Sequence, residues 1–113
     1  ATLEGRERVV SLLVASKADV NAADAEGVSS LMLAGNEGRT EIARLLIENG
    51  ANINWQSKSG STALMESALE GRTDTVKMLI DANADLLLLD LLDRTALIIA
   101  EQQGHLDIAA LLK

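Results

Sequence analysis

The 113-residue chain has no cysteine, no proline, no phenylalanine and no tyrosine, and Trp55 is its one aromatic residue. Without cysteine there can be no disulfide and no thiolate metal site, and the redox compartment stays open; an intracellular, probable cytoplasmic setting is the default expectation. Without aromatic bulk the core has to come from Leu, Ile, Val, Ala and Met, a mixture suited to closely packed helices. Positive charge is also scarce, with 10 Lys and Arg against 17 Asp and Glu, a net charge of -7 and a pI near 4.5. Phosphate binding needs a basic surface, so nucleic acid and anionic membranes are not expected partners. No uninterrupted apolar stretch reaches the roughly 18 to 20 residues of a membrane helix. The opening "ATLEGRERVV" has no apolar signal core.

What the chain does have is a period. Gly5, Gly38, Gly71 and Gly104 recur every 33 residues, and Gly27 and Gly60 share that spacing, with Asp93 at the next step. Leu13, Leu46, Leu79 and Leu112 are in register, as are Leu12, Leu45, Met78 and Leu111, then Leu31, Leu64 and Leu97, and Ala18, Ala51 and Ala84. Regular self-similarity of this length is the signature of a solenoid. In "GSTALMESALEGRTDTVKMLIDANAD", Gly60 permits a turn and Thr62 is an N-cap candidate. The spacing predicts a short helix over 63–70 that Gly71 ends. A second helix over 73–82 follows, with Val76, Leu79 and Ile80 at helical spacing. Asn83 is suited to the left-handed conformation. An extended excursion of about ten residues then leads to the next unit.

A turn and two short antiparallel helices in 33 residues resemble the ankyrin repeat, whose pattern runs G-x-T-P-L-H-x-A-A-x-x-G-H, then x-x-V-V-x-L-L-L-x-x-G-A-D-V-N. The matching segments are "GVSSLMLAGNEGRTEIARLLIENGANIN", "GSTALMESALEGRTDTVKMLIDANADLL" and "DRTALIIAEQQGHLDIAALLK". The first unit retains only its end, "ATLEGRERVVSLLVASKADVN". The resemblance implies one all-α domain, an ankyrin-repeat solenoid of helix-turn-helix units joined by β-hairpin fingers. Its units would be a partial repeat 1–26, repeats 27–59 and 60–92, and a partial repeat 93–113. The family's T-P-L-H segment reads Ser29-Ser30-Leu31-Met32, Thr62-Ala63-Leu64-Met65 and Thr95-Ala96-Leu97-Ile98, so its Thr–His hydrogen bond cannot form. Neither end carries a polar cap, and the chain reads as a fragment of a longer array.

The period also places an unusual run. "ADLLLLDLLD", residues 84–93, holds six leucines and aligns with the fingers "ADVNAADAEG" and "ANINWQSKSG". Leu86 shares a column with Val20 and Ile53 and is expected to face inward. Leu91 and Leu92 align with Ala25 and Glu26, and with Lys58 and Ser59, at a finger tip, and are expected to be exposed. Leu87 replaces the asparagine of Asn21 and Asn54, and Asp93 replaces a turn glycine, so this finger is expected to be the least regular of the three. Burial of one leucine stabilises by roughly 1.5 to 3 kcal/mol, so an exposed cluster is an interface candidate. Local packing of the leucines near Trp55 is the alternative.

Catalysis needs converging groups, and the sequence supplies none. His105, the one histidine, sits at a helix junction. Glu41, Asp74 and Asp107 begin second helices, where they meet the positive end of the helix dipole. Neither a metal site nor a cofactor is expected, and an enzyme is not. The expected function is protein–protein binding. By resemblance, the contact surface is the concave side. It takes Ala25, Glu26, Val28, Asn36 and Glu37 from one unit, Lys58, Ser59, Ser61, Leu69 and Glu70 from the next, and Leu91, Leu92, Arg94, Gln102 and Gln103 from the last. Trp55, Leu88 and Leu89 join them as apolar anchors. The partner is another protein or a second copy of this chain. In that second case the scaffold, natural or engineered, uses the finger 86–92 as an oligomer interface.

Overall fold

The computed structural model describes residues 23–113. The expected first partial unit, with Leu12, Leu13, Ala18, Val20 and Asn21, lies outside them. The described residues form six helices: α1 (Ser30–Glu37), α2 (Thr40–Glu48), α3 (Ala63–Leu69), α4 (Thr73–Asp81), α5 (Ala96–Gln102) and α6 (Leu106–Leu112). First helices begin at 30, 63 and 96 and second helices at 40, 73 and 106, so both series repeat every 33 residues. Helices α1, α3 and α5 stack in one row and α2, α4 and α6 in another, and each pair packs within its own unit.

Local chemistry accounts for these boundaries. Ser29, Thr62 and Thr95 are extended, and each side-chain hydroxyl accepts from the N–H three residues on. Such a cap is worth about 1 kcal/mol. The hydroxyl cap therefore survives without the family's histidine. Each first helix ends where the chain turns through a left-handed glycine, Gly38, Gly71 or Gly104. Asn83 takes the same conformation, as its position after α4 predicts.

The core runs through the solenoid in columns. Ala43, Val76 and Ala109 are buried in successive second helices, as are Leu46, Leu79 and Leu112. Leu31 and Leu64 are buried in successive first helices, and Leu97 is half-buried against them. Polar groups inside this core are matched. The Thr75 hydroxyl bonds that of Thr40 at 2.8 Å, and the Ser67 hydroxyl donates to the carbonyls of Ala63 and Gly35. Gly35 is what allows α1 so near α3, because a Cβ there would lie 2.8 Å from the Ala63 carbonyl oxygen.

The fingers differ from expectation in two ways. They are not β-hairpins: among the described residues there is no strand, and only Ala23 and Ser29 form an isolated antiparallel bridge. Their hydrogen bonds run along the solenoid instead, from Lys58 N–H to the Glu26 carbonyl (3.0 Å) and from Leu91 N–H to the Ser59 carbonyl (2.9 Å). Nor is the leucine finger irregular. Its tip bonds, Asp90 N–H to Arg94 O and Asp93 N–H to Asp90 O, repeat those of Ser57 with Ser61 and Gly60, and of Asp24 with Val28 and Gly27. Asp93 adopts a positive φ of 59° where Gly60 has 81° and Gly27 has 78°. The lost glycine is offset by Asp90, whose Oδ1 accepts from the N–H groups of Leu92 and Arg94. Asp24 does the same for Glu26 and Val28.

Candidate functional site

The leucine run divides by depth. Leu86 and Leu88 are half-buried against the core. Leu87, Leu89, Leu91 and Leu92 are 80%, 49%, 74% and 71% exposed. Leu86 thus faces inward only in part, and Leu91 and Leu92 stand in solvent. Leu87 belongs with the exposed set although its column holds Asn54. The Asn54 Oδ1 accepts from Asp85 N–H of the next finger, a bond leucine cannot offer; the Leu87 N–H itself is held by Asp85.

Trp55 is placed differently from a surface anchor. It is half-buried against the core, and its indole N–H donates to the Gly27 carbonyl at 2.8 Å, tying finger 2 to finger 1. Leu88 likewise packs inward. Lys58, Ser59, Glu70, Gln102 and Gln103 are exposed, while Ser61, Leu69 and Arg94 are half-buried. Ala25 and Glu26 are exposed, and Val28, Asn36 and Glu37 are half-buried.

Several of these residues meet in one cleft of about 300 Å³, between the tips of fingers 2 and 3 and the helices α3 and α5. Met65 and Ile99, both buried, form its floor, and Leu69, Leu91 and Leu92 its apolar walls. Asp90 and Arg94 line one end, where the Arg94 Nε donates to Asp90 Oδ2 at 2.9 Å and a terminal guanidinium nitrogen reaches the Gln102 Oε1. Burial raises the Asp90 pKa, but hydrogen bonds from Arg94 and Leu92 and the Arg94 charge outweigh it and hold the carboxyl below its ordinary value. Glu66, on α3, supplies the other carboxylate. Its oxygens accept from the Asn36 amide (3.0 Å) and the Ser61 hydroxyl (2.6 Å).

Glu66 is the cleft residue that sequence reasoning missed. The signal was present: it shares a column with Leu33 and Ile99, so it is a carboxylate at an otherwise apolar register position. Gln56, whose amide donates to the Gly60 and Leu89 carbonyls, was also missed as the side chain that spans fingers 2 and 3.

His105 begins α6 and sits over Gly71, with Nε2 3.3 Å from the Leu69 carbonyl. One unit earlier Arg72 donates its Nε to the Asn36 carbonyl, which is the same contact one period back. Among the described residues no group of three or more His, Asp or Glu is gathered as a metal site, and no helix is long and apolar enough to cross a membrane.

A repeating pair of stacked helices with the turn glycines and hydroxyl caps in register is the architecture that the sequence resemblance implied. A family model described as ankyrin repeats, in three copies, matches residues 1–90 and 52–113. The chain belongs to the ankyrin-repeat family. Ankyrin repeats generally serve as protein–protein interaction modules and are typically scaffolds without enzymatic activity. No curated protein matches the chain significantly.

Proposed function

We propose that this ankyrin-repeat chain binds a protein partner through finger 3 and the cleft beside it, with Leu87, Leu89, Leu91 and Leu92 as apolar contacts. Lys58, Ser59, Ser61, Leu69, Glu70, Arg94, Gln102 and Gln103 form the polar surround, and the units are taken as 27–59, 60–92 and 93–113. Trp55 and Leu88 drop out of the contact set, because both are engaged inside the solenoid. One observation carries the reading: four leucines of a single finger stand half or more in water although the helical core is closed. Clustered apolar exposure of this kind is a mark of an interface.

The test is a pull-down with the parent beside Leu91→Asp/Leu92→Asp, paired with circular dichroism and with solution mass across a concentration series. The expected result is loss of the bound protein with helix content intact. Mass that rises with concentration in the parent and not in the variant assigns the finger to self-association instead. Unfolding of the variant makes the two leucines part of the core, and the reading fails.

A further inference from the structure

The cleft between fingers 2 and 3 has a chemical preference. The charged groups facing it are Glu66, Asp90 and Arg94. Two of these cancel, since Arg94 and Asp90 form an ion pair at 2.9 Å and Gln102 takes a further guanidinium N–H. Glu66 has only neutral partners, the Asn36 amide and the Ser61 hydroxyl. Each of its oxygens accepts one bond and keeps capacity for another. Beside this carboxylate lie Leu69, Leu91 and Leu92. The space is at the small end of ligand-pocket volumes, which begin at about 300 Å³, and suits one long side chain.

We propose that the cleft receives an arginine or lysine side chain from an extended segment of the partner. Its aliphatic stem lies along Leu69, Leu91 and Leu92, and its cationic head meets Glu66. The inference rests on finger 3 being the partner surface. Long basic side chains cover apolar surface with their stems and keep the charge for a polar group. An acidic side chain would face Glu66 and find Arg94 already engaged. A purely apolar one would cover a half-buried carboxylate and give it no compensating charge. The net charge of -7 also favours approach by a basic segment.

The experiment is a selection from a phage-displayed library of random dodecapeptides on the parent, with affinities then measured on Leu91→Asp and on Glu66→Gln. Glu66→Gln keeps the side-chain shape and an oxygen acceptor, and its melting curve reports whether the fold is intact. Selected peptides should carry Arg or Lys beside aliphatic residues and lose about tenfold or more on Glu66→Gln. Replacing the peptide's basic residue with norleucine should cost a similar factor on the parent and little on Glu66→Gln, because the two changes remove the same contact. Peptides that depend on Leu91 but bind Glu66→Gln as tightly as the parent would overturn this inference and leave the finger reading standing. Peptides indifferent to Leu91→Asp, or a selection that yields none, overturn the finger reading and the inference with it.

Discussion

Substituting alanine at Gly60 and at Gly104 separates backbone strain from finger stacking. Both glycines have positive φ, 81° and 76°. An L side chain in this region costs roughly 1 to 2 kcal/mol at either site. Their surroundings differ. A Cβ at Gly104 would meet nothing within 4 Å, whereas one at Gly60 would lie 2.8 Å from the Asp90 Cα and 3.0 Å from the Leu91 nitrogen. Those are backbone atoms of finger 3, pinned by the Leu91 N–H bond to Ser59 and by the Asp90 turn, so they cannot swing aside. Overpacking of this kind adds about 1 to 3 kcal/mol. Gly104→Ala should therefore lose about 1 to 2 kcal/mol and Gly60→Ala about 2 to 5 kcal/mol. Urea unfolding followed by circular dichroism measures both. If the two variants agree within about 0.5 kcal/mol, fingers 2 and 3 are not in contact and the stacked arrangement is wrong.

Three further outcomes are expected. Leu79, fully buried in α4, should lose about 2 to 5 kcal/mol on truncation to alanine, and a melting shift of only a degree or two would place it outside the core. His105→Arg should leave stability within about 0.5 kcal/mol, since arginine can reach the Leu69 carbonyl as Arg72 reaches Asn36, while His105→Ala should lose about 0.5 to 1.5 kcal/mol; partner affinity should change in neither. The folded Asp90 carboxyl titrates below its unfolded value of about 3.9, so its contribution is present above that pH and is lost as the pH falls through the lower, folded value. Asp90→Asn should flatten the acid limb of a pH–stability profile, and an unchanged limb would refute the role given to the Arg94 contact.

Helices, caps and core columns were legible in the sequence because each rests on local chemistry repeated at one spacing. Thr62, Gly71 and Leu79 carry the same meaning in every unit. The fingers were less legible, because their bonds run between units: Lys58 to Glu26, Leu91 to Ser59, Asp85 to Asn54. Alignment of Asp24, Ser57 and Asp90 showed a column but not its use as a turn anchor. Trp55 was misplaced for a related reason. An indole in a loop suggests a surface anchor until its N–H is seen to reach Gly27, 28 residues away. Glu66 was passed over because a carboxylate on a short helix reads as solvated, and only the approach of Ser61, Asn36 and the leucine tip encloses it.

The same bonding pattern explains how one finger can turn apolar without disturbing the solenoid. The tips are held by backbone N–H to carbonyl bonds, by the Asp24, Ser57 and Asp90 side chains, and by one backbone bond to the preceding finger. None of these uses the side chains at 58 and 59, or at 91 and 92. Lys58 and Ser59 in one finger and Leu91 and Leu92 in the next accordingly sit on equivalent backbone with the same hydrogen bonds. Stability is decided in the helical columns, and identity at the tips is left free. Leucines there add little to folding, because each keeps most of its surface in water. They retain the roughly 1.5 to 3 kcal/mol that burial of each would release, and that free energy is available only to whatever covers finger 3.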